Sequence, residues 1–535
     1  MMQGQKREKY GKGYRLLAVG CGLMPILTGA PISLGAQAPR WQPEHFVLLR
    51  DFADVQALAT TNAGLFVATR GGIAVYDIRS ERWIPPITEV DGLPEADFTM
   101  AVGDPADESV WFATTSGIVH YLPVLRELIE IPMDGMPVRM VFDHNDPFRG
   151  LYVATGNGWF FLPRGAGIAT PAVTAPPPER QITSLTVEEV LERVPSAAAT
   201  RSMVLIDERL GRYQFTSVAE DPDRGIYYFG TDGTGVVRFD PELGEFETLP
   251  FGLLADRVGA VLWKDGAVWA GTGGQDGRRG FTRMTSDLQH FEWDQGPGAA
   301  TYQFSDVRAL HLWDDGVWAA TDIGVLRVDQ PDHVVSRDLP SSSTFSLATT
   351  PAGLWVGTAR GIATLLRFES AGVVVEETQI TPGAVLSLVA EDHDVWVGTS
   401  NGLRWLPVSA DNLTTPSGIE HLPIASEPIV AMVRGSNHLF VATPDALVWR
   451  EQGATWREGP AVSASVGRIT ALGLSDEGGP LWIGGDRGVA SLDPATSAIR
   501  SVVSEADLPG AVRDIHVGGG YVWVATERGL VRLRN

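Results

Sequence analysis

A chain of 535 residues with 44% hydrophobic residues, 16 Trp and 60 Gly has a globular composition and is too long for one small core, which leaves several domains or a repeat array. Its net charge of −23 argues against nucleic acid or an anionic membrane surface as the main partner. The single cysteine, Cys21, lies near the N-terminus, so disulfides and thiolate chemistry are not expected beyond it and stability must come from packing.

The first predicted element is an export signal. Lys6, Arg7, Lys9, Lys12 and Arg15 precede an apolar run from Leu16 to Leu34, which ends in the small-x-small pattern Ala36-Gln37-Ala38. Residues 1–38 are therefore expected to be a signal peptide and the remainder to be periplasmic or extracellular. Pro39 directly after the cleavage position allows the alternative of an uncleaved anchor, the one source of membrane contact in the sequence. HFVLLRD, residues 45–51, then reads as a lone outer strand without a local partner.

From Leu65 onward one motif recurs eleven times, beginning with LFVATRGGIAVYD and ending with VWVATERGLVRL from Val522. Aligned on its threonine, the copies are 37 to 49 residues apart, with one gap of 76 between Thr155 and Thr231. Three residues before that position stands an aromatic in every copy: Phe66, Trp111, Tyr152, Tyr228, Trp269, Trp318, Trp355, Trp396, Phe440, Trp482 and Trp523. One residue before it stands Ala or Gly, and the position itself is Thr in ten copies and Gly485 in one.

A strand puts alternate side chains on one face, so the aromatic and the small residue share a face that suits sheets stacked against each other. Gly three residues after the Thr, in eight copies, supplies the tight hairpin turn. With one strand before and one after each hairpin, the unit is four antiparallel strands in about 40–45 residues, the period of a propeller blade. The predicted fold is all-β: eleven four-stranded blades across residues 39–535, arranged as two rings (five and six, or seven and four) in preference to one large ring, each ring closed by strands from its two ends.

The pattern aromatic-x-Gly/Ala-Thr-x-x-Gly, with DGLPEADFTMAV leading into the copy at Val110, resembles the two-component regulator propeller repeat of periplasmic sensor regions in hybrid histidine kinases. The resemblance runs over nearly all of residues 45–535 and implies a ligand-binding, sensor-type propeller. The sequence carries no kinase motif, so signalling in its own right is not expected.

The one interruption, residues 167–202, is rich in Pro and Ala and is expected to lie inside one blade, between its third and outer strands. Within it Thr186 and Glu189 form a capping box for a helix at 187–194 that Pro195 ends, and Val187, Val190, Leu191 and Val194 make an apolar stripe expected to dock on the propeller.

Motif chemistry is sparse. HExxH, GxSxG, Walker and CxxC patterns are absent, the ten histidines are scattered, and no cofactor or metal is called for. DHNDP at Asp143 holds clustered oxygen donors but reads better as a turn. The Thr-x-x-Gly turns and the loops leading into each innermost strand share one face, and their variable residues form the candidate ligand-binding rim: Arg70, Asp232, Arg278, Arg279, Asp322, Arg360, Asn401, Asp486, Arg487, Glu527 and Arg528. The expanded turn with Arg278 and Arg279 is the leading specific contact. Together these features predict a non-catalytic scaffold or sensor-like protein for a protein, peptide or glycan partner. The alternative is a hydrolase or lyase acting on an extracytoplasmic polymer through rim carboxylates such as Asp232, Asp322 and Glu527.

Overall fold

The computed structural model describes residues 41–535 apart from 43–44, 95–96, 147, 166, 195–203, 207–210, 222, 274–277, 296–303, 330–342, 370–371, 381–382, 408–412 and 476–478, with backbone alone for 362–369 and 372–380. The expected signal peptide and Pro195 lie outside the described residues. Eleven antiparallel sheets follow the eleven motifs, so the chain is a nearly all-β propeller protein. Each blade starts at its innermost strand and steps outward: Val55–Thr61 opens blade one, Phe98–Gly103 blade two, Pro137–Asp143 blade three and Arg212–Asp221 blade four. Blade five opens at Val258–Lys264 and blade eleven at Val512–Gly518. Blades six and eight show three described strands rather than four.

The repeat columns explain how blades meet. Phe66 and Ala68 of blade one pack in one cluster with Val110 and Phe112 of blade two, and Trp111 and Ala113 of blade two pack with Met140 and Leu151 of blade three. The same relation runs from Trp318 through Trp355, Trp396, Phe440 and Trp482, each ring entering the cluster it shares with the following blade. Burying a side chain of this kind contributes roughly 1.5–3 kcal/mol, so each seam is held by a substantial apolar anchor.

The small residue has an equally direct cause. A Cβ at Gly357 would stand 2.6 Å from Val385 Cγ1 of the next blade, and one at Gly484 would stand 2.5 Å from Val512 Cγ1. The intruding branched residue opens the next innermost strand, where a bulge occurs in ten of the eleven blades. The bulge re-aims the strand's first side chain into the seam.

Two contacts break the sequential order and define the rings. Trp523 and Ala525 of blade eleven pack against Val258, Val261 and Val268 of blade five, while Tyr228 of blade four packs with Val55, Leu58 and Val67 of blade one. A Cβ at Gly230 of blade four would lie 2.5 Å from Val55 Cγ1. Blades five to eleven therefore close into a seven-blade ring, and blades one to four form a separate set in the order four-one-two-three. This is the seven-and-four division, with the smaller set first.

Closure differs from the expectation for the smaller set. Phe46–Leu49 pairs with Gly529–Arg534 as the outer strand of blade eleven, with Phe46 opposite Leu533 and Leu49 opposite Leu530. Among the described residues, blades one to four exchange no strand, because each is built from consecutive strands. The four-blade set is thus an insertion between the outer strand of the seven-blade ring and the rest of it.

The insert also sits differently from its predicted position inside one blade. Its first part, Thr170–Ala172, is itself the outer strand of blade three, and the chain beyond it runs between blades three and four. Gln181–Ile182 pairs with the innermost strand of blade three, and Val204–Ile206 with that of blade four, so both inner edges are covered. Helix α1, Val187–Arg193, lies between them; Glu189 N donates to Thr186 Oγ1 (3.3 Å) and Thr186 N to Glu189 Oε2 (2.9 Å). Val187 and Val190 are buried against Phe215, Val218, Phe229 and Phe239, the face of blade four opposite blade one. Tyr152 and Ala154 of blade three, on the face away from blade two, stay half-buried.

Candidate functional site

The turn face is built by the recurrent threonine. Thr526 Oγ1 donates to Gly529 O (2.7 Å) and accepts from Arg528 N (3.2 Å), and Thr69 Oγ1 donates to Gly72 O (3.0 Å) while accepting from Gly71 N (3.1 Å). Both threonines are fully buried. The one glycine at this position, Gly485, has no room for a side chain, because a Cβ would meet the carbonyl oxygens of Val466 and Arg468.

The rim acids are engaged by the backbone of their own blades. Asp232 Oδ1 accepts Gln214 N (2.8 Å), and Asp486 Oδ1 accepts Arg468 N (2.8 Å). Asp322 accepts Ser305 N (2.8 Å), Asp306 N (3.1 Å) and the Ser305 hydroxyl (2.6 Å). Burial pushes the Asp322 carboxyl up, yet the Ser305 and backbone hydrogen bonds win and hold it below the ordinary range. These three acids share one repeat column and tie the turn to the start of the innermost strand or to the residues just before it. Glu527 pairs with Arg513 of blade eleven at 3.0 Å.

Arg278 is drawn into the junction of the two rings. Its guanidinium pairs with Asp51 (2.8 Å), donates to Gly233 O of blade four (2.5 Å) and lies 5.3 Å from the Trp293 ring. Here the two crossing segments run side by side, with Asp51 bridged to Gly252 and Leu253 N donating to Arg50 O (2.8 Å). Arg50 makes a bidentate pair with Asp256 (3.1 and 2.9 Å) and a third bond to Glu89 (2.6 Å). Trp83, Phe52 and Phe291 pack on Phe251 beneath them. Arg50, Asp51, Glu89 and Asp256 were not on the predicted rim, because nothing in the motif places two distant crossing segments together.

The remaining rim residues are spread out. Arg360 and Asn401 are exposed on blades seven and eight, Arg279 is half-buried beside Arg278, and Arg487 donates to Ser463 O at 3.3 Å. Arg70 of blade one and Arg528 of blade eleven are brought together, lining one small cleft. Asp143, the oxygen-rich turn, is paired with Arg180 of the insert and accepts Asn145 N (3.0 Å). Among the described residues no group of acids and histidines is placed to hold a metal ion.

A larger cleft of about 450 Å³ lies on the opposite face of the four-blade set. Its lining includes Thr60, Asn62, Arg79, Asp107, Glu108 and Arg224, from the hairpins of blades one, two and four. Thr60 Oγ1 donates to Glu220 O (2.7 Å), locking blade one to blade four at its floor. Asp104, also in the lining, accepts Trp111 Nε1 (3.1 Å) and pairs with Arg164. Burial pushes its carboxyl up.

The blades, seams and strand closure define this chain as a β-propeller protein. No family model matches it, and no curated protein matches it. Among solved structures it is similar to the extracellular domain assigned to a hybrid two component system from B. thetaiotaomicron, at 13% identity and a TM-score of 0.44, over 90% of this chain and 70% of that one. A second such domain from the same bacterium is 14% identical with a TM-score of 0.33, over 92% of this chain and 83% of that one. PorZ, a surface component of the type-IX secretion system of Porphyromonas gingivalis, is 12% identical with a TM-score of 0.44, over 90% and 68%.

Proposed function

We propose that this is an exported, non-catalytic β-propeller protein that binds a polar ligand or a protein segment, in a sensor-like or scaffolding role. The observation that carries this reading is the pairing of a roomy polar cleft with rim carboxylates already committed to backbone amides. A cleft of about 450 Å³ lined by hydroxyl, amide, carboxylate and guanidinium groups is within the size range of small-molecule sites and offers hydrogen bonds of both senses. Of the acids that a rim hydrolase would use, Asp232 and Asp322 accept backbone amides of their own blades and Glu527 pairs with Arg513 instead. A general acid needs its pKa raised toward neutrality, and Asp322 is shifted the other way. Export is supported by the basic and apolar N-terminal run.

The test is binding of the purified protein to an array of envelope glycans and peptides, repeated with Asn62→Ala and Arg224→Ala. Affinity that falls at least tenfold in either variant with an unchanged melting temperature is expected. Turnover of any array member, or binding indifferent to both substitutions, would overturn the proposal.

A further inference from the structure

We infer that the cleft between the Thr69–Gly72 and Thr526–Gly529 turns is a binding site for a carboxylate carried on a small apolar group. The cleft holds about 90 Å³ and is lined by Arg50, Arg70, Glu89, Leu93, Phe98 and Arg528, among others. Its lining carries three arginines against one glutamate, on a strongly acidic protein.

The three guanidinium groups differ in how far they are committed. Arg50, at the floor, has a side chain only 10% exposed and is neutralised by Asp256 and Glu89. Arg70 is 71% exposed, and its pair with Asp97 at 3.3 Å is itself solvent-exposed, the kind of contact that a better-placed anion displaces at little cost. The exposed Arg528 guanidinium makes no hydrogen bond or ion pair among the described residues. Two arginines from different rings therefore face one cleft with donors to spare, and a carboxylate is the anion whose two oxygens match a guanidinium fork.

The wall decides between anions. Leu93 and Phe98 are buried at 7% and 4% and present apolar surface beside Pro94, which favours an acid bearing a short hydrocarbon group. Glu89 keeps one oxygen directed at Arg50 and repels a dianion more than a monoanion, so inorganic phosphate fits less well. Because Arg70 belongs to the four-blade set and Arg528 to the seven-blade ring, occupancy ties the two rings across the crossing segments. This site is distinct from the larger cleft on the opposite face and stands whether or not that cleft binds anything.

Calorimetric titration of the full chain with 3-methylbutanoate at low salt tests the inference, with inorganic phosphate as the second probe. Saturable binding of the carboxylate is expected, at least tenfold tighter than phosphate and weakened by added salt. Arg70→Gln and Arg528→Gln, both exposed and away from the core, are each expected to weaken it at least tenfold without lowering the melting temperature of the free protein. Short peptides ending in Val, free or amidated at the C-terminus, separate the two sources of the group: binding of the free form alone points to a chain terminus, and binding of only the small acid points to a free organic acid. No saturable binding to either the acid or the free peptide up to about 10 mM would overturn the site, as would phosphate binding as well as the carboxylate or affinity unchanged in both variants.

Discussion

The recurrent threonine works as a clip: Thr69, Thr321, Thr399 and Thr526 are buried, and each closes its own turn through both a donated and an accepted hydrogen bond. Thr526→Val keeps the shape and removes the bonds to Gly529 O and Arg528 N, so a loss of about 1–3 kcal/mol is expected in urea unfolding. The small residue is set by the seam. Gly484→Val places a side chain where Val512 Cγ1 already stands 2.5 Å from the Cβ position, and overpacking of this kind costs about 1–3 kcal/mol. Pairing it with Val512→Ala should restore part of the loss, and a double variant no more stable than Gly484→Val alone would show that the two residues do not share the seam. Asp514 carries a pH signature. Burial pushes it up from 3.8 to about 6, against bonds from Val261 N (3.0 Å) and Ile515 N (2.9 Å) that lower it. Between those values the folded chain keeps a proton that the unfolded chain has released, so stability falls as pH rises through that window, by about 1–2 kcal/mol because water still reaches part of the group. His120 and His311, held down to about 4 by burial, act in the opposite sense: the unfolded imidazoles protonate first as pH falls, and stability rises with pH. Comparing Asp514→Asn with the parent cancels the histidines, and the difference should change with pH only from about 4 to about 6. The columns of the motif made the clip and the seam residues legible. Asp232, Asp322 and Asp486 recur at one of these columns, and each accepts a backbone amide there.

At the scale of elements, the strands and hairpins followed from alternation and turn residues, whereas the bulges did not. Each bulge breaks the alternation at the first residues of its strand, an interruption too short for periodicity to separate from the preceding loop. The helix of the insert was legible from its capping box and apolar stripe, but its surroundings were not, because the stripe specifies that a partner exists and not which surface supplies it. The structure supplies blade four. Val190, fully buried, is the contact to test: Val190→Asp places an unpaired charge against Phe215 and Phe229. The expected outcome is a melting temperature lowered by several degrees and faster amide exchange in Val187–Arg193 and Val204–Ile206, with exchange in blades seven to ten unchanged. Equal loss of protection across both rings would contradict local docking of the helix.

For the whole molecule, the N-terminal strand is the closing piece of the seven-blade ring although it precedes the other set in the chain. Removing residues 1–49 leaves Gly529–Arg534 as an unpaired edge and strips Phe46 and Leu48 from their cluster with Trp482 and Val524. Amide exchange should then rise most in the strands Val512–Gly518, Tyr521–Thr526 and Gly529–Arg534, and a truncated chain with full protection there would sink this account of closure. The sequence by itself determined the number of blades, their strand order, the aromatic and small columns that enter the seams and the outer-strand character of HFVLLRD, because these depend on local periodicity and on columns that repeat. Tertiary structure alone decided that blade four turns back to blade one and blade eleven to blade five, that Arg278 is held by Asp51, and that Arg70 meets Arg528. All eleven motifs present equivalent faces, so local chemistry lets any blade follow any other. Only the geometry of ring closure selects which faces meet, and with them which distant side chains share a cleft.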